Sequence, residues 1–235
     1  MGSIRAGYWT RRLTRNVGIV ALALLVHLLV VTATSSSNQV MFRLSMATGY
    51  TSVALIGWAL LIGPWRVRRG RSAPVSTDLR RDVGIWGAVF GLAHVGTGLF
   101  VHMGDPLKYF VYRNTGRPLP VRYDLFGFAN WIGLAATALL VLLLLISNDV
   151  SLRRLGSRRW KAWQRWTYWA GVLVVLHALA YQWLEKGNGG WVYVFVAVVV
   201  IVAAMQLDGR RRFRARATGT PSASEARPSA RSRAG

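Results

Sequence analysis

The sequence predicts an all-α integral membrane protein, a bundle of six transmembrane helices with both termini in the cytoplasm. Three observations predict this fold class. Of the 235 residues, 53% are hydrophobic and only 16% are charged, whereas an ordinary soluble domain has about 25% charged residues. The apolar residues are concentrated in six long runs. Lysine and arginine are concentrated in alternate segments between those runs, as in multi-pass membrane proteins.

Each apolar run is long enough, or nearly so, to cross a hydrocarbon core of about 30 Å, which takes about 20 residues of helix. The second run is the shortest, and it lengthens if the helix begins at Leu44. No clean cleavage pattern follows the first run, so we expect it to be retained as a helix. The runs are Val17–Ala33, Gly49–Gly63, Val83–Met103, Leu125–Ile146, Trp166–Leu184 and Trp191–Leu207.

The distribution of basic residues predicts the orientation and the domain organisation. Twenty-four of the 30 lysines and arginines lie on the side of the two termini, which the positive-inside rule assigns to the cytoplasm. We expect a basic arm over 1–16, a transmembrane domain over 17–207 and a disordered basic tail over 208–235. The net charge of +22 then reflects topology and contact with anionic membrane lipid. Nucleic-acid binding is not expected, because the basic segments flank the membrane and carry no recognition motif.

All four histidines lie inside the predicted spans: His27, His94, His102 and His177. An ionisable residue inside a membrane is costly and is a functional hypothesis by default. The alternative is that each histidine is a neutral hydrogen-bonding residue between helices, worth about 1 kcal/mol. No acidic residue lies in the middle of a span, and neither a nucleophile–base pair nor a phosphate loop is present, so catalysis by the side chains themselves is not expected.

Two of the histidines are predicted to lie at the same depth. The third and fifth spans start on the same side, and His94 and His177 each follow the start, Asp82 and Arg165, by twelve residues. Twelve residues of helix rise about 18 Å. Two imidazoles at equal depth on different helices can hold one metal centre, and the simplest occupant is haem b. Covalent c-type attachment is excluded, because the chain has no cysteine.

Glycines share the helical face of His94. Gly87, Gly91 and Gly98 are spaced so that they lie in one row with it, which predicts a groove where a porphyrin could lie. The alternative is close helix packing through small residues. His102 is a candidate contact to haem propionates, a quinone or an electron acceptor, or it faces water. His27 is a candidate spare ligand, quinone contact or packing residue.

A resemblance adds to this interpretation. It rests on three stretches: RRDVGIWGAVFGLAHVGTGLF, FGFANWIGLAATALLVLLLLISND and RRLGSRRWKAWQRWTYWAGVLVVLH. The most specific part is the basic LGSRRWKAWQRW followed by an apolar helix with a histidine. Over roughly Thr48 to Leu184 the chain resembles the ferric-reductase-like transmembrane domain family, and within it the haem-binding membrane subunits of bacterial periplasmic methionine sulfoxide reductase systems.

The resemblance implies a six-helix haem b protein of the bacterial inner membrane. Such proteins move electrons from a cytoplasmic flavoprotein or a quinol to a periplasmic redox protein, and in the family the haem ligands map onto His94 and His177. Many members carry a second histidine where this chain has Gln164, and near Arg80 and Arg81 there is no histidine either. We therefore expect one haem.

The electron donor is expected to be a separate protein or a quinol, because no flavin- and nicotinamide-binding domain follows the membrane part; a bound flavin or quinone is a further option. Three other functions stay open from the residues alone: a cofactor-free membrane scaffold, a small transporter, or an assembly subunit of a respiratory complex.

Overall fold

The computed structural model describes residues 2–70, 77–101, 104–112, 120–184 and 190–219, and within these ranges the chain is almost entirely helical. A short 3-10 helix and one isolated β-bridge, Val111 to Val121, lie in the connection between the third and fourth α-helices. The α-helices are α1 (Gly2–Ala33), α2 (Val40–Arg68), α3 (Thr77–Gly98), α4 (Leu125–Ile146), α5 (Asp149–Gln164), α6 (Thr167–Leu184) and α7 (Gly190–Gly219).

The all-α fold class is confirmed. The six apolar runs lie in α1, α2, α3, α4, α6 and α7. Within the described residues, four helices are long and apolar enough to cross a membrane, namely α1, α2, α4 and α7. The other two are not among these four: α3 begins with a charged turn, and α6 has only 18 residues. The third run also ends earlier than predicted: α3 stops at Gly98, and the chain turns before Met103.

The helix α5 was not expected from the sequence, which indicated only a basic segment there. The Asn148 side chain caps its first turn by accepting a hydrogen bond from the Ser151 amide at 2.8 Å. Gly156 interrupts it with a φ of +70°, a backbone conformation that glycine adopts without steric cost. Trp160 is buried and donates to the Ile146 carbonyl at 2.9 Å, so α5 lies folded against the end of α4.

Large apolar side chains cover the outside of the bundle. On α1, Leu24 and Leu28 are 54% and 58% exposed, and on α7 Val200 and Ile201 are 58% and 55% exposed. Contiguous apolar surface of this kind favours lipid over water as the surrounding medium. The protein is therefore a membrane protein, and these faces are its lipid-facing faces.

The helix α2 is the centre of the bundle and packs against α1, α3 and α7. In its most apolar window 56% of the residues are buried, compared with 11–22% in the other three candidate spans. The buried hydroxyl groups of α2 are hydrogen-bonded within the protein. Thr48 and Thr51 both donate to backbone carbonyls one turn earlier, at 2.7 Å, and Ser52 donates to the Gly87 carbonyl of α3 at 2.8 Å. In an apolar medium such internal satisfaction is required.

One end of the bundle, here called the basic end, holds α5 together with the first part of α1 and the last part of α7. An ion-pair network joins α1 to α3 there, because the Arg15 Nε donates to the carboxylate of Asp82 at 2.8 Å and Arg12 lies 3.7 Å from it. On the α7 side, Asp208 lies 3.6 Å from Arg68 of α2.

Both predicted terminal segments are partly helical. The segment 1–16, predicted as a basic arm, belongs from Gly2 onward to the same helix as the first span. The predicted tail begins as helix too, because α7 continues to Gly219. The rest of that tail, 220–235, lies outside the described residues.

We expect the substitution Asp82→Asn to loosen α1 from the bundle. The Asp82 side chain is 1% exposed and faces two guanidinium groups, and removing its charge leaves Arg15 without its anion and Arg12 with only Asp149 at 3.8 Å. Because the arginines are partly exposed, the expected loss of unfolding free energy is roughly 2 kcal/mol. Thermal unfolding of the detergent-purified protein measures it. The matched control is Asp208→Asn, in an exposed pair with Arg212, which should cost little. Equal effects of the two changes would contradict the assigned role of Asp82.

Candidate functional site

The two histidines predicted to lie at equal depth meet inside the bundle. The ring centroids of His94 on α3 and His177 on α6 are 6.2 Å apart, and their planes are inclined by 72°. Both rings line one cavity between α2, α3, α4 and α6, which we call the histidine cavity. Its other walls are mainly apolar, with Tyr181 packed against the ring of His177 at 5.5 Å.

The His94 ring is held against the central helix. Its Nδ1 lies 2.9 Å from the carbonyl oxygen of Ser45 and 3.3 Å from the hydroxyl of the same serine. One helical turn further along α2 is Gly49, and a Cβ added there would lie only 2.9 Å from the His94 Nδ1. The absence of a side chain at Gly49 is therefore what allows the imidazole to reach the backbone of α2.

The His177 ring is held against α4 in the same way. Its Nδ1 lies 2.8 Å from the carbonyl oxygen of Ala129. One turn further along α4 is Gly133, where an added Cβ would lie 2.7 Å from Nδ1 and 2.8 Å from Cε1 of the ring. Contacts that short do not occur without a shift of the ring. Each histidine thus lies on a glycine of a neighbouring helix and bonds the carbonyl one turn before that glycine.

These two hydrogen bonds determine the tautomer of each ring in its neutral form. A carbonyl oxygen only accepts, so the Nδ1 of a neutral imidazole bonded to it carries the proton. The lone pair then belongs to Nε2, which is the nitrogen that can bind a metal. A backbone acceptor on Nδ1 is also the usual partner that orients a metal-binding histidine. In the neutral form, His94 and His177 therefore each keep Nε2 as the nitrogen that can bind a metal.

The separation of the rings fits one metal ion between them. Metal–imidazole bonds are about 2.0–2.1 Å long, so two rings that both bound one ion would have their centroids roughly 6 Å or less apart. The observed separation is 6.2 Å. In the part of the chain that the structure describes, no group of three or more His, Cys, Asp or Glu side chains is placed to hold a metal ion. If these two histidines bound one metal ion, its remaining ligands would come from outside the protein, and a haem would supply them.

The predicted glycine row serves helix packing as well as the cavity. Gly91 and Gly98 line the histidine cavity, but each also approaches a serine of α2, with Ser52 Oγ at 3.1 Å and Ser45 Oγ at 3.3 Å from the added Cβ. Gly87 does not line this cavity and instead packs on Ile56 of α2. For Gly87 the packing alternative describes the structure, because α2 is the closest neighbour of that face of α3.

The accessory residues are not part of the histidine pair. The ring of His27 on α1 packs 6.2 Å from that of Phe90 on α3, and its buried Nδ1 has no hydrogen-bond partner in the structure. Gln164 lies at the basic end, where its side-chain amide donates to the Ser147 hydroxyl at 3.2 Å. His102 lies outside the described residues.

Sequence reasoning missed the residues that orient the histidines, Gly49 and Gly133 with the carbonyls of Ser45 and Ala129. The available signal was a glycine in the middle of each of two apolar helices. A second signal was spacing: Ser45 precedes His94 by 49 residues and Ala129 precedes His177 by 48. Neither signal identifies a partner without knowing which helices are neighbours.

We expect Gly133→Ala to destabilise the protein by roughly 1–3 kcal/mol, since the new methyl group displaces an imidazole enclosed by packed helices. Gly171→Ala on α6 is the matched control, because a Cβ there meets only Leu60 at an ordinary 3.7 Å. Alanine favours helix over glycine, so the control should be neutral or slightly stabilising. Chemical or thermal unfolding in detergent measures both variants. Equal stability of the two would show that the ring does not depend on the space at Gly133.

Comparisons with known proteins agree with the resemblance that the sequence shows to haem-binding membrane subunits. No family model matches the chain. A curated relative from Ralstonia nicotianae, the protein-methionine-sulfoxide reductase heme-binding subunit MsrQ, is 29% identical over 174 residues, which is 73% of this chain and 73% of the relative. The resemblance noted in the sequence is thereby confirmed: this chain resembles the MsrQ-type heme-binding subunits of protein-methionine-sulfoxide reductase systems.

Proposed function

We propose that this chain is a haem b electron-transfer subunit of the membrane, with one haem bound between His94 and His177. The observation that supports the proposal best is the pair of imidazoles 6.2 Å apart, each bonded through Nδ1 to a backbone carbonyl. An iron held by two histidines would bind the Nε2 of each ring, the nitrogen opposite the one that is bonded to the carbonyl. A histidine that only joined two helices would not need a second histidine at that distance.

The protein residues would bind, orient and shield the cofactor. The carbonyls of Ser45 and Ala129 keep each proton on Nδ1 and raise the basicity of the opposite nitrogen. Gly49 and Gly133 leave the space that this orientation needs. When bound, haem iron supplies a site that accepts and releases one electron at a time. The apolar walls of the cavity keep water from that site, and the surrounding dielectric is one of the factors that tune its potential.

The proposed direction of electron transfer rests on the orientation in the membrane. Lysine and arginine are more numerous on the side of the basic end, so the positive-inside rule assigns that end, with both termini, to the cytoplasm of a bacterial inner membrane, and the six apolar runs supply the six proposed spans. Electrons would enter from a separate cytoplasmic flavoprotein or a quinol and leave on the opposite side. The relative is named as part of a protein-methionine-sulfoxide reductase, so the proposed acceptor is a periplasmic protein that reduces methionine sulfoxide.

Four tryptophans near the cytoplasmic start of α6 could form a route by which electrons reach the haem. They are Trp160, Trp163, Trp166 and Trp169. Only Trp160 is buried, whereas Trp163, Trp166 and Trp169 are 44%, 44% and 61% exposed. Indole rings exposed at the end of a membrane helix are typical of an interfacial belt. We therefore assign the three exposed tryptophans to the membrane interface. Only Trp160 remains a candidate for the electron route, because it alone of the four is buried in the bundle.

We expect His94→Ala and His177→Ala each to abolish the reduced b-type absorption spectrum of the purified protein, because each removes one of the two axial ligands. The spectrum is recorded in detergent, oxidised and then reduced with dithionite, from cells supplied with haem precursor. The matched control is His27→Ala, a histidine of another helix that does not line the cavity, which should retain the spectrum.

Normal haem content in both ligand variants would end this assignment. A colourless but folded wild-type protein would favour the alternative function, a cofactor-free scaffold or transporter. Circular dichroism and gel filtration of every variant separate loss of haem from loss of fold.

We expect about one haem per chain. A second haem toward the basic end would need ligands there, and Gln164 uses its amide to bond Ser147 where a ligating imidazole would otherwise be needed. Pyridine haemochrome quantification against protein concentration measures the ratio. A ratio of two would mean that other groups at the basic end ligate iron.

A further inference from the structure

A second cavity lies at the basic end, between α2, α3, α4, α5 and α6, and we call it the basic cavity. Four cationic side chains line it from two elements: Arg80 and Arg81 from α3, and Lys161 and Arg165 from the end of α5. The amide of Gln164 lies among them. No acidic residue is among the residues described as lining it. A cavity with this lining attracts an anion.

The inner part of the basic cavity is apolar. Ile56 and Ala59 of α2 and Leu140, Leu143 and Leu144 of α4 form its floor. Three of these, Ile56, Leu140 and Leu143, belong to one buried cluster of the core. The cavity thus combines a cationic rim with an apolar interior. This combination is complementary to an amphiphile that has an anionic head group and an apolar tail.

The four cationic side chains form the rim of the cavity, and one of them, Arg81, has a hydrogen-bond donor that the protein leaves without an acceptor. Its side chain is only 5% exposed, and its Nη1 donates to the Asp149 carboxylate at 2.6 Å. Its buried Nε has no hydrogen-bond partner in the structure. A buried guanidinium N–H without a partner is costly, and an anionic oxygen in the cavity would remove that cost.

The nearby carboxylates do not neutralise the rim. Asp149 is ionised, since the hydrogen bond from Arg81 lowers the pKa of its carboxyl, but it is shared with Arg12 at 3.8 Å. Asp82 is occupied by Arg12 and Arg15 of α1, and Asp78 lies 4.0 Å from Arg81. Neither Lys161 nor Arg165 has an ion pair to a described carboxylate. The rim therefore keeps a net positive charge.

We propose that the basic cavity binds the phosphate of an acidic phospholipid, with the phosphate among Arg80, Arg81, Lys161 and Arg165 and part of an acyl chain on the apolar floor. Guanidinium groups match phosphate oxygens in geometry and charge. Basic pockets between membrane helices on the cytoplasmic side are known to select anionic head groups. A free phosphate would use the rim but not the floor. This proposal does not depend on the haem, because the basic cavity and the histidine cavity have different polar residues.

The test compares lipid binding by two double variants of the full-length protein. Lys161→Gln with Arg165→Gln removes two exposed cations of the rim, and Arg158→Gln with Arg159→Gln removes two exposed cations of the same helix that do not line the cavity. Delipidated protein in neutral detergent is titrated with phosphatidylglycerol or with phosphatidylcholine of the same acyl chains. Native mass spectrometry counts the bound lipid. Circular dichroism checks that both variants stay helical.

We expect the wild type and the Arg158/Arg159 variant to retain phosphatidylglycerol in preference to phosphatidylcholine, and the Lys161/Arg165 variant to bind phosphatidylglycerol roughly tenfold more weakly. An equal loss in both variants would overturn the proposal in favour of diffuse attraction between charges. The absence of any preference for phosphatidylglycerol would overturn it as well. Competition by millimolar inorganic phosphate as effective as that by phosphatidylglycerol would overturn the lipid assignment and leave a soluble phosphate as the ligand. None of these readings uses the haem spectrum, so a failed haem assignment and a failed lipid assignment are distinguishable.

Discussion

The hydrogen bond from an imidazole Nδ1 to a backbone carbonyl is the interaction on which the candidate site depends. In each case the acceptor already takes part in a helix, and the ring reaches it because the residue one turn later is glycine. The carbonyl oxygens have two lone pairs, so α2 and α4 keep their own helical bonds. The same bond sets the tautomer, orients the ring and leaves Nε2 for the interior. Without this hydrogen bond, two histidines at the same depth could adopt several rotamers, and the distance between their rings would not be fixed.

The rest of the fold keeps those bonds in register. Because α2 supplies the acceptor for His94 and also packs on α1 and α7, the position of one ring depends on the central helix. The hydroxyl groups of α2 bond within the protein, so the helix can lie in an apolar interior without unsatisfied groups. At the basic end, Asp82 fixes α1 to α3 through Arg15. Polar contacts thus join the helices at the histidines and at the basic end, and dispersion and shape also hold the bundle together.

The sequence was sufficient to predict the class of fold and the histidine pair, because both depend on local rules. Apolar length predicts a span, and rise per residue predicts that His94 and His177 have the same depth. The partners of the rings could not be predicted in this way, because Gly49 and Gly133 matter only through the helices that face them. The contact of Gly87 could not be predicted for the same reason, because the neighbour of its row of glycines is α2. The amphipathic helix α5 was read only as a basic segment, because its interruption at Gly156 and its few apolar residues hide the helical period.

Each histidine has its backbone acceptor on one neighbouring helix, 49 or 48 residues earlier in the chain. This pairing has a consequence for how the protein responds to a ligand. Each histidine is bonded within its own pair of packed helices, α2 with α3 and α4 with α6, so the hydrogen bond of neither ring needs the other pair. A ligand that binds both rings cross-links two preoriented halves, and its binding free energy then acts on the contact between them. Loss of that ligand would leave each half folded around its own glycine and would weaken chiefly the seam between the halves. The seam would then be the first part of the bundle to open, and the same seam is where a cofactor could enter.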